Sequence, residues 1–342
     1  MDLVEARELW NPEPGWLNTA SYGLPPRPAW DALQSALAEW RAGRTSWEGW
    51  DASTGLARGA FARLVAVPTT DVAVGAAVSQ LLAPVASALA DGARVLVPDV
   101  EFTSNLFPWL VRPGVSVRTV PADRLAEAVD AGTDLVAFSL VQSADGAVAR
   151  YDDVVDAARA HGALVVVDAT QGCGWLPFDG SRADAVVVAA YKWLMAPRGV
   201  AFAYLAPALR ERMIPSAAGW YAGEDMHASY YGPPLRLASD ARRFDISPAW
   251  FSYVGVAPAM ELLESVGVPA IRAHNVGLAN RFLAGLGQPP RDSAIVTVDV
   301  PDAAAKLAAA GVRAAVRAGR VRASFHLYST EADVDMALEA LV

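Results

Sequence analysis

Between residues 71 and 205 the chain alternates short β-branched and apolar runs with stretches of helical spacing, and nothing else in the sequence restricts its fold as much. The runs are DVAV (71–74), RVLVP (94–98), DLVAFSL (134–140), ALVVVD (163–168), DAVVVAA (184–190) and GVAFAYL (199–205). Strands apolar on both faces and separated by helices satisfy their backbones by pairing in parallel under helical cover. The intervening QLLAPVASALADG, ADRLAEAVDAG and YDDVVDAARAHG read as helices, each ending on a glycine that accepts a left-handed stop. We therefore expect an α/β fold with a mainly parallel sheet and a ligand site beyond the carboxyl ends of its strands.

From 207 to 250 the pattern gives way to an irregular stretch dense in Gly, Pro and aromatics, a length of loop more often functional than idle. Beyond it, AMELLESVG, a helical pattern near 271–286, the runs AIVTVDV and VRASFHLYS and a final helix fit a smaller α+β domain. Net charge of −9 without a run of either sign leaves no phosphate-backbone footprint, so nucleic acid is not an expected partner. A single cysteine, Cys173, excludes an internal disulfide. The four histidines, at 161, 227, 274 and 326, lack metal-ligand spacing, and no metal is expected. The opening MDLVEARELWNPEPGW has no basic start or apolar core of a secretion signal, and no later segment reaches about eighteen unbroken apolar residues. The expectation is a cytoplasmic protein without a membrane partner.

Four strand ends carry the chemistry. After DVAV, Gly75-Ala76-Ala77-Val78-Ser79 leads into a helical run, where unpaired amides and the helix dipole can face an anion; small residues at a packed turn give the same pattern. Phe102, after RVLVP, is either a core phenylalanine or a stacker for a flat heteroaromatic ring. Asp168 ends a buried strand, where a carboxylate needs a cation or several donors; a turn or helix-cap aspartate is the other reading. Lys192 ends the next strand. Burial there would lower its pKa and free a nucleophilic amine, unless the side chain snorkels to solvent. Gly172-Cys173-Gly174 does not complete a dinucleotide fingerprint, since Pro177 stands where that pattern would close, so a nicotinamide-dependent oxidoreductase is disfavoured.

Anion turn, aromatic, strand-tip Asp and strand-tip Lys, in that order, together suggest pyridoxal phosphate. The order resembles the class V aminotransferase superfamily of fold-type-I pyridoxal-phosphate enzymes, which includes cysteine desulfurases, kynureninases and isopenicillin N epimerase-like proteins. Leu17-Asn18-Thr19-Ala20-Ser21-Tyr22-Gly23 is similar to the family's LN-x-x-x-x-G, and Asp168-Ala169-Thr170-Gln171 to its D-x-x-Q. Tyr191-Lys192-Trp193-Leu194 followed by Ala196-Pro197-Arg198-Gly199 is similar to H-K-W-L-x-A-P-K-G of epimerase-like members. Residues 322–330, RASFHLYST, resemble R-x-S-x-x-x-Y-N-T.

The resemblance implies a large domain (16–250) around a mainly parallel seven-stranded sheet, and a small α+β domain from 1–15 plus 251–342. It implies that Lys192 holds the cofactor as a Schiff base and moves the Cα proton, and that Asp168 keeps the ring nitrogen protonated. Phe102 would cover the ring, Gln171 would bond its phenolic oxygen, and Ser143 stands where desulfurases have a ring-contacting Asn. Ala77, Val78, Ser79 and Tyr191 would hold the phosphate, completed by Ser247 of a second copy in a homodimer. Arg322 would clamp the substrate carboxylate, with Asn18 and Tyr22 from the opening motif at the substrate.

Trp220, Tyr221, Tyr230, Tyr231 and Trp250 either wall a pocket for a bulky side chain or pack the domain seam and dimer face. Residues 305–321 contain no cysteine, which disfavours desulfuration, and Ala189 replaces the usual phosphate-binding Ser or Thr three positions before the lysine. The leading expectation is an aminotransferase, ahead of a C–S β-lyase on cysteine conjugates or sulfoxides and an amino-acid epimerase. A catalytically silent binding protein on the same fold is the remaining alternative, and it has no need of an imine-forming amine.

Overall fold

The computed structural model describes residues 1–342. Its helices are α1 (Leu3–Arg7), α2 (Arg27–Arg41), α3 (Trp47–Leu64), α4 (Val78–Ser87), α5 (Thr103–Leu110), α6 (Tyr151–His161), α7 (Pro207–Arg210), α8 (Trp250–Val266), α9 (Val268–Gly285), α10 (Ala303–Ala309) and α11 (Glu331–Leu341). Seven strands, β1 (Val72–Gly75), β2 (Arg94–Pro98), β3 (Ser116–Val120), β4 (Leu135–Ser139), β5 (Leu164–Asp168), β6 (Ala185–Ala189) and β7 (Ala201–Leu205), form one sheet in the order β1-β7-β6-β5-β4-β2-β3. Only β7 opposes the rest, so the sheet is mainly parallel, as the alternation predicts.

Alternate residues of each central strand feed opposite layers. Val72, Val136, Phe138, Val165, Val167, Val186, Val188 and Phe202 join the core shared with α3, α6 and α8. Ala73, Val95, Ala137, Val166, Ala185, Val187 and Ala203 face α4, and their small side chains bring that helix close to the sheet. A second sheet, β8 (Ile295–Val298), β9 (Ala315–Arg317) and β10 (Arg320–Ser324), is antiparallel in the order β8-β10-β9. Its core takes Phe282 from α9, Leu307 from α10, Val334 from α11, and Leu17 from the N-terminal segment.

Two features depart from the sequence reading. SVRTV forms β3, an edge strand with mostly exposed residues that pairs with β2 alone. ADRLAEAVDAG forms two single 3-10 turns, Ala122–Arg124 and Ala126–Ala128, instead of a helix. Of its larger apolar side chains only Leu125 and Val129 are buried, and a helix this short does not persist without an apolar face to bury. The segment 207–250 is irregular as expected, with α7 and three 3-10 turns along it.

Residue 250 opens α8, whose Tyr253, Val256, Met260 and Leu263 belong to the large sheet's core and which packs on α2 and α3. The chain then turns 88° at Gly267, whose φ of 87° a residue with a side chain rarely adopts. We therefore propose Gly267 as the division between the two units, in place of residue 250. No single helix is long and apolar enough to cross a membrane.

Candidate active site

Strand β6 ends in a turn that buries Lys192 to 6% exposure, with Nζ 5.5 Å from the Phe102 ring centroid and 5.6 Å from that of Tyr191. Burial pushes this amine down to about 8; Asp168 opposes the shift, and Arg322, Arg317 and Arg198 add to it. Asp168, at the tip of β5, is also buried, and burial pushes its carboxyl up against the opposing pull of the Thr170 hydroxyl and amide and of Lys192. The Thr170 amide donates to Asp168 Oδ1 at 2.9 Å, while Thr170 Oγ1 accepts from the Ala189 amide at 3.0 Å, coupling the ends of β5 and β6. Thus an amine and a carboxyl that burial disfavours in their charged forms line one cleft.

That cleft, about 690 Å³, is also lined by Ala76, Ala77, Val78, Phe102, Ser143, Gln171 and Tyr191, all but Ala76 singled out from the sequence. Ala77 caps α4 without a side-chain bond, so the amides at the helix start point to the cleft without acceptors from the protein. Ser79 lies one step outside, in an adjoining groove with Thr103 and Phe107; Ser104 lines both spaces.

Gln171 is fixed by four bonds. Its Nε2 donates to the Ala20 carbonyl at 3.0 Å and to Ser143 Oγ at 3.3 Å, its Oε1 accepts from Trp193 Nε1 at 2.8 Å, and its carbonyl accepts from Trp175 Nε1 at 2.6 Å. Arg322, on β10, is 1% exposed; Nη1 donates to the Ser143 carbonyl at 2.5 Å and Nη2 to Ser21 Oγ at 2.9 Å, while the buried Nε has no partner. Burial, then Arg317, lowers this guanidinium to about 10, so it stays charged at neutral pH. Asn18 bridges to Ser324 of the same strand, its buried Oδ1 without a partner. Tyr22 sits at the mouth, its ring centroid 5.7 Å from that of Tyr191.

The approach of this N-terminal segment depends on a missing side chain. The Gly23 amide donates to the Tyr191 carbonyl at 3.0 Å, and a Cβ at position 23 would fall 1.9 Å from the Lys192 carbonyl oxygen.

Asn18, Tyr22 and Arg322 stand beside the cleft without lining it, and Ser247 and the aromatic residues 220, 221, 230, 231 and 250 lie away from it within this chain. Ser247 is exposed on the loop after the 3-10 turn Ala241–Phe244. Trp220 packs into an aromatic cluster with Trp47, Tyr230 and Trp250, at centroid distances of 5.1, 5.1 and 6.4 Å. Conversely, the polar side chains of Ser104, Ser139, Thr170 and Arg198 also line the cleft, and the sequence reading gave them no role. Beneath it lies another: the buried Glu101 accepts from the amides of Phe102 at 2.8 Å and Ser139 at 2.7 Å and from the Ser139 hydroxyl, locking the start of α5 to the tip of β4. Thr170 and Arg198 fall inside the quoted motifs and Glu101 directly precedes Phe102, but the pairings that give them work are made by chain folding.

The family model for aminotransferase class-V matches residues 57–309. Isopenicillin N epimerase of Streptomyces clavuligerus is 30% identical over 332 residues, covering 87% of this chain and 81% of that protein. The uncharacterized aminotransferase YcbU of Bacillus subtilis is 29% identical over 242 residues, covering 67% of this chain and 64% of YcbU. Among solved structures, the cystine C-S lyase C-DES in complex with cysteine persulfide superposes with a TM-score of 0.85 at 22% identity, over 96% of this chain and 97% of that one, a likeness of fold. Read with the amine and carboxyl that share its cleft, these matches place the chain in the class-V aminotransferase family, as a fold-type-I enzyme that works with pyridoxal phosphate.

Proposed function

We propose that the chain is an aminotransferase acting on an amino acid, with Lys192 as the group that carries the Cα proton. The observation behind this reading is that Lys192, lowered to about 8, is the only amine lining the cleft, and no thiol or imidazole joins it there. When bound, pyridoxal phosphate supplies a carbonyl for the amine to capture and a ring that withdraws electron density from Cα. Asp168 would pair with the protonated ring nitrogen and keep the proton on it, a cationic partner that would offset the cost of a buried carboxylate. Phe102 would cover the ring, with Gln171 and Ser143 at its edge.

Arg322 binds the substrate carboxylate in this reading, with its unpartnered Nε as one spare donor. A substrate held there would present its Cα to Lys192, which would remove the proton and deliver it on the same face to the carbon that was the cofactor's carbonyl, the step that moves the amino group. Epimerisation needs a proton delivered to both faces of Cα, and beside Lys192 the cleft offers only hydroxyls for this, of which the Tyr191 phenol is pushed up by burial and so is a poor base. Sulfur transfer is disfavoured too: Cys173, the chain's only cysteine, is buried and its thiol is pushed up to about 12 by that burial.

Elimination from a β-carbon bearing a thiolate leaving group uses the same amine, and the likeness to a cystine C-S lyase makes it the second reading. The test incubates holoenzyme with a panel of amino acids and cysteine conjugates, with and without a 2-oxo acid. Keto acid formed only with the acceptor supports transfer; ammonia and pyruvate without it overturn transfer for elimination, and racemised amino acid overturns it for epimerisation.

A further inference from the structure

We propose that Arg198 supplies the fixed positive charge for the cofactor's phosphate, a role the family motif does not assign to it. The proposal rests on the cofactor orientation described above, with the ring nitrogen at Asp168 and the carbonyl carbon at Lys192. Along the carboxyl edge of the sheet the order of strands β5, β6, β7, β1 lines up Asp168, then Lys192, then Arg198-Gly199 at the entry to β7, then the start of α4. The phosphate arm leaves the ring next to the carbonyl carbon, so it extends past Lys192 toward the last two.

That end of the cleft is short of charge. Ala76, Ala77 and Ala189 offer no side-chain donor, the α4 amides and the hydroxyls of Ser104 and Tyr191 are neutral, and the Lys192 amine is committed to the carbonyl. Arg322 is held on the other side, on Ser143 and Ser21. A phosphate dianion drawn out of water onto amides alone leaves much of its charge uncompensated.

Arg198 is placed to meet it. Its guanidinium carbon stands 4.3 Å from the Tyr191 ring centroid and 5.2 Å from that of Tyr22, and Nε donates to the Tyr22 hydroxyl at 3.0 Å. Both terminal nitrogens are then free of protein partners, and no carboxylate pairs with the side chain. Its backbone is pinned as well: Ser252 Oγ donates to the Arg198 carbonyl at 2.7 Å, and the Tyr253 hydroxyl reaches the carbonyls of Gly75 and Ala201 at 3.0 and 3.4 Å, tying the end of β1 to the start of β7. A planar fork stacked on two rings keeps its two outer donors oriented for a phosphate edge.

The experiment titrates apoenzyme with pyridoxal phosphate and, separately, with pyridoxal, following the absorbance of the bound chromophore, for the wild type and for R198M and R198K. R198M keeps the apolar stem that covers Tyr191. The expected result is that R198M weakens pyridoxal phosphate roughly ten- to a hundredfold, as loss of a charge-assisted hydrogen bond does, while pyridoxal affinity stays put and R198K, which restores the charge without the fork, recovers part of the loss. Equal weakening of both ligands, or unchanged cofactor affinity with a raised KM for an acidic amino acid, overturns the proposal. Borohydride trapping of the chromophore on Lys192 in the wild type tests the cofactor orientation separately, so failure of the phosphate assignment is told apart from failure of the orientation on which it rests.

Discussion

At the residue scale, the reactive amine is set by a balance between burial, which lowers Lys192 to about 8, and the Asp168 carboxyl, which holds it up. The apoenzyme should therefore capture a carbonyl compound at a rate that rises with pH through about 8, since the neutral amine is the nucleophile. D168N removes the opposing charge and should move that midpoint lower; a midpoint that moves upward would contradict the assigned balance. K192A should abolish borohydride-stable labelling and lower turnover by at least about a hundredfold, the lower end for loss of a proton carrier. Lys192 and Asp168 were legible because a charge at the end of an apolar strand is conspicuous in any register. Thr170, Glu101 and Arg198 were not, because their partners, Ala189, Ser139 and Tyr22, are assembled by the fold.

Elements place these residues through a few contacts that can be broken singly. Asp245, 1% exposed at its side chain, accepts from Arg58 Nη2 at 2.7 Å and from the Val74 amide at 2.7 Å, fastening the loop that carries Ser247 to β1. Removing one member of a buried pair strands the other, so D245A should lower unfolding free energy by about 3–5 kcal/mol in a denaturant titration. G23A forces the N-terminal segment off the Lys192 carbonyl; a cost of about 1–3 kcal/mol in the same titration, with a shifted chromophore maximum, is the expected outcome. The sequence showed six of the large sheet's strands because their apolar runs are continuous. It hid β3, whose Ser116, Arg118 and Thr119 are exposed on an edge, and it overread ADRLAEAVDAG, whose spacing suits a helix that the chain gives too little apolar surface to bury.

On the scale of the whole molecule, Arg322 of the small sheet reaches the Ser143 carbonyl beside the cleft, and a second copy remains our proposal for completing the phosphate end. Mixing K192A with S247A and allowing subunits to exchange tests it. If Ser247 serves the partner's site, each mixed dimer has one intact site and activity exceeds the mean of the parents; if it serves its own chain, no gain appears. The regular alternation visibly stops after residue 206, whereas the apolar residues of α8 do not reveal in the sequence which sheet they cover, and placing that helix with the large sheet is our proposal.

The His326 ring, kept neutral by burial that lowers it to about 3, donates through Nε2 to the Trp193 carbonyl at 2.9 Å, just as Gly23 holds the Tyr191 carbonyl from the other end of the chain. Residues 191–193 are thus gripped by one segment made before them and by another made after them. While the chain is still emerging from a ribosome, the turn that carries Lys192 lacks one of these two holds until residue 326 has cleared the exit tunnel.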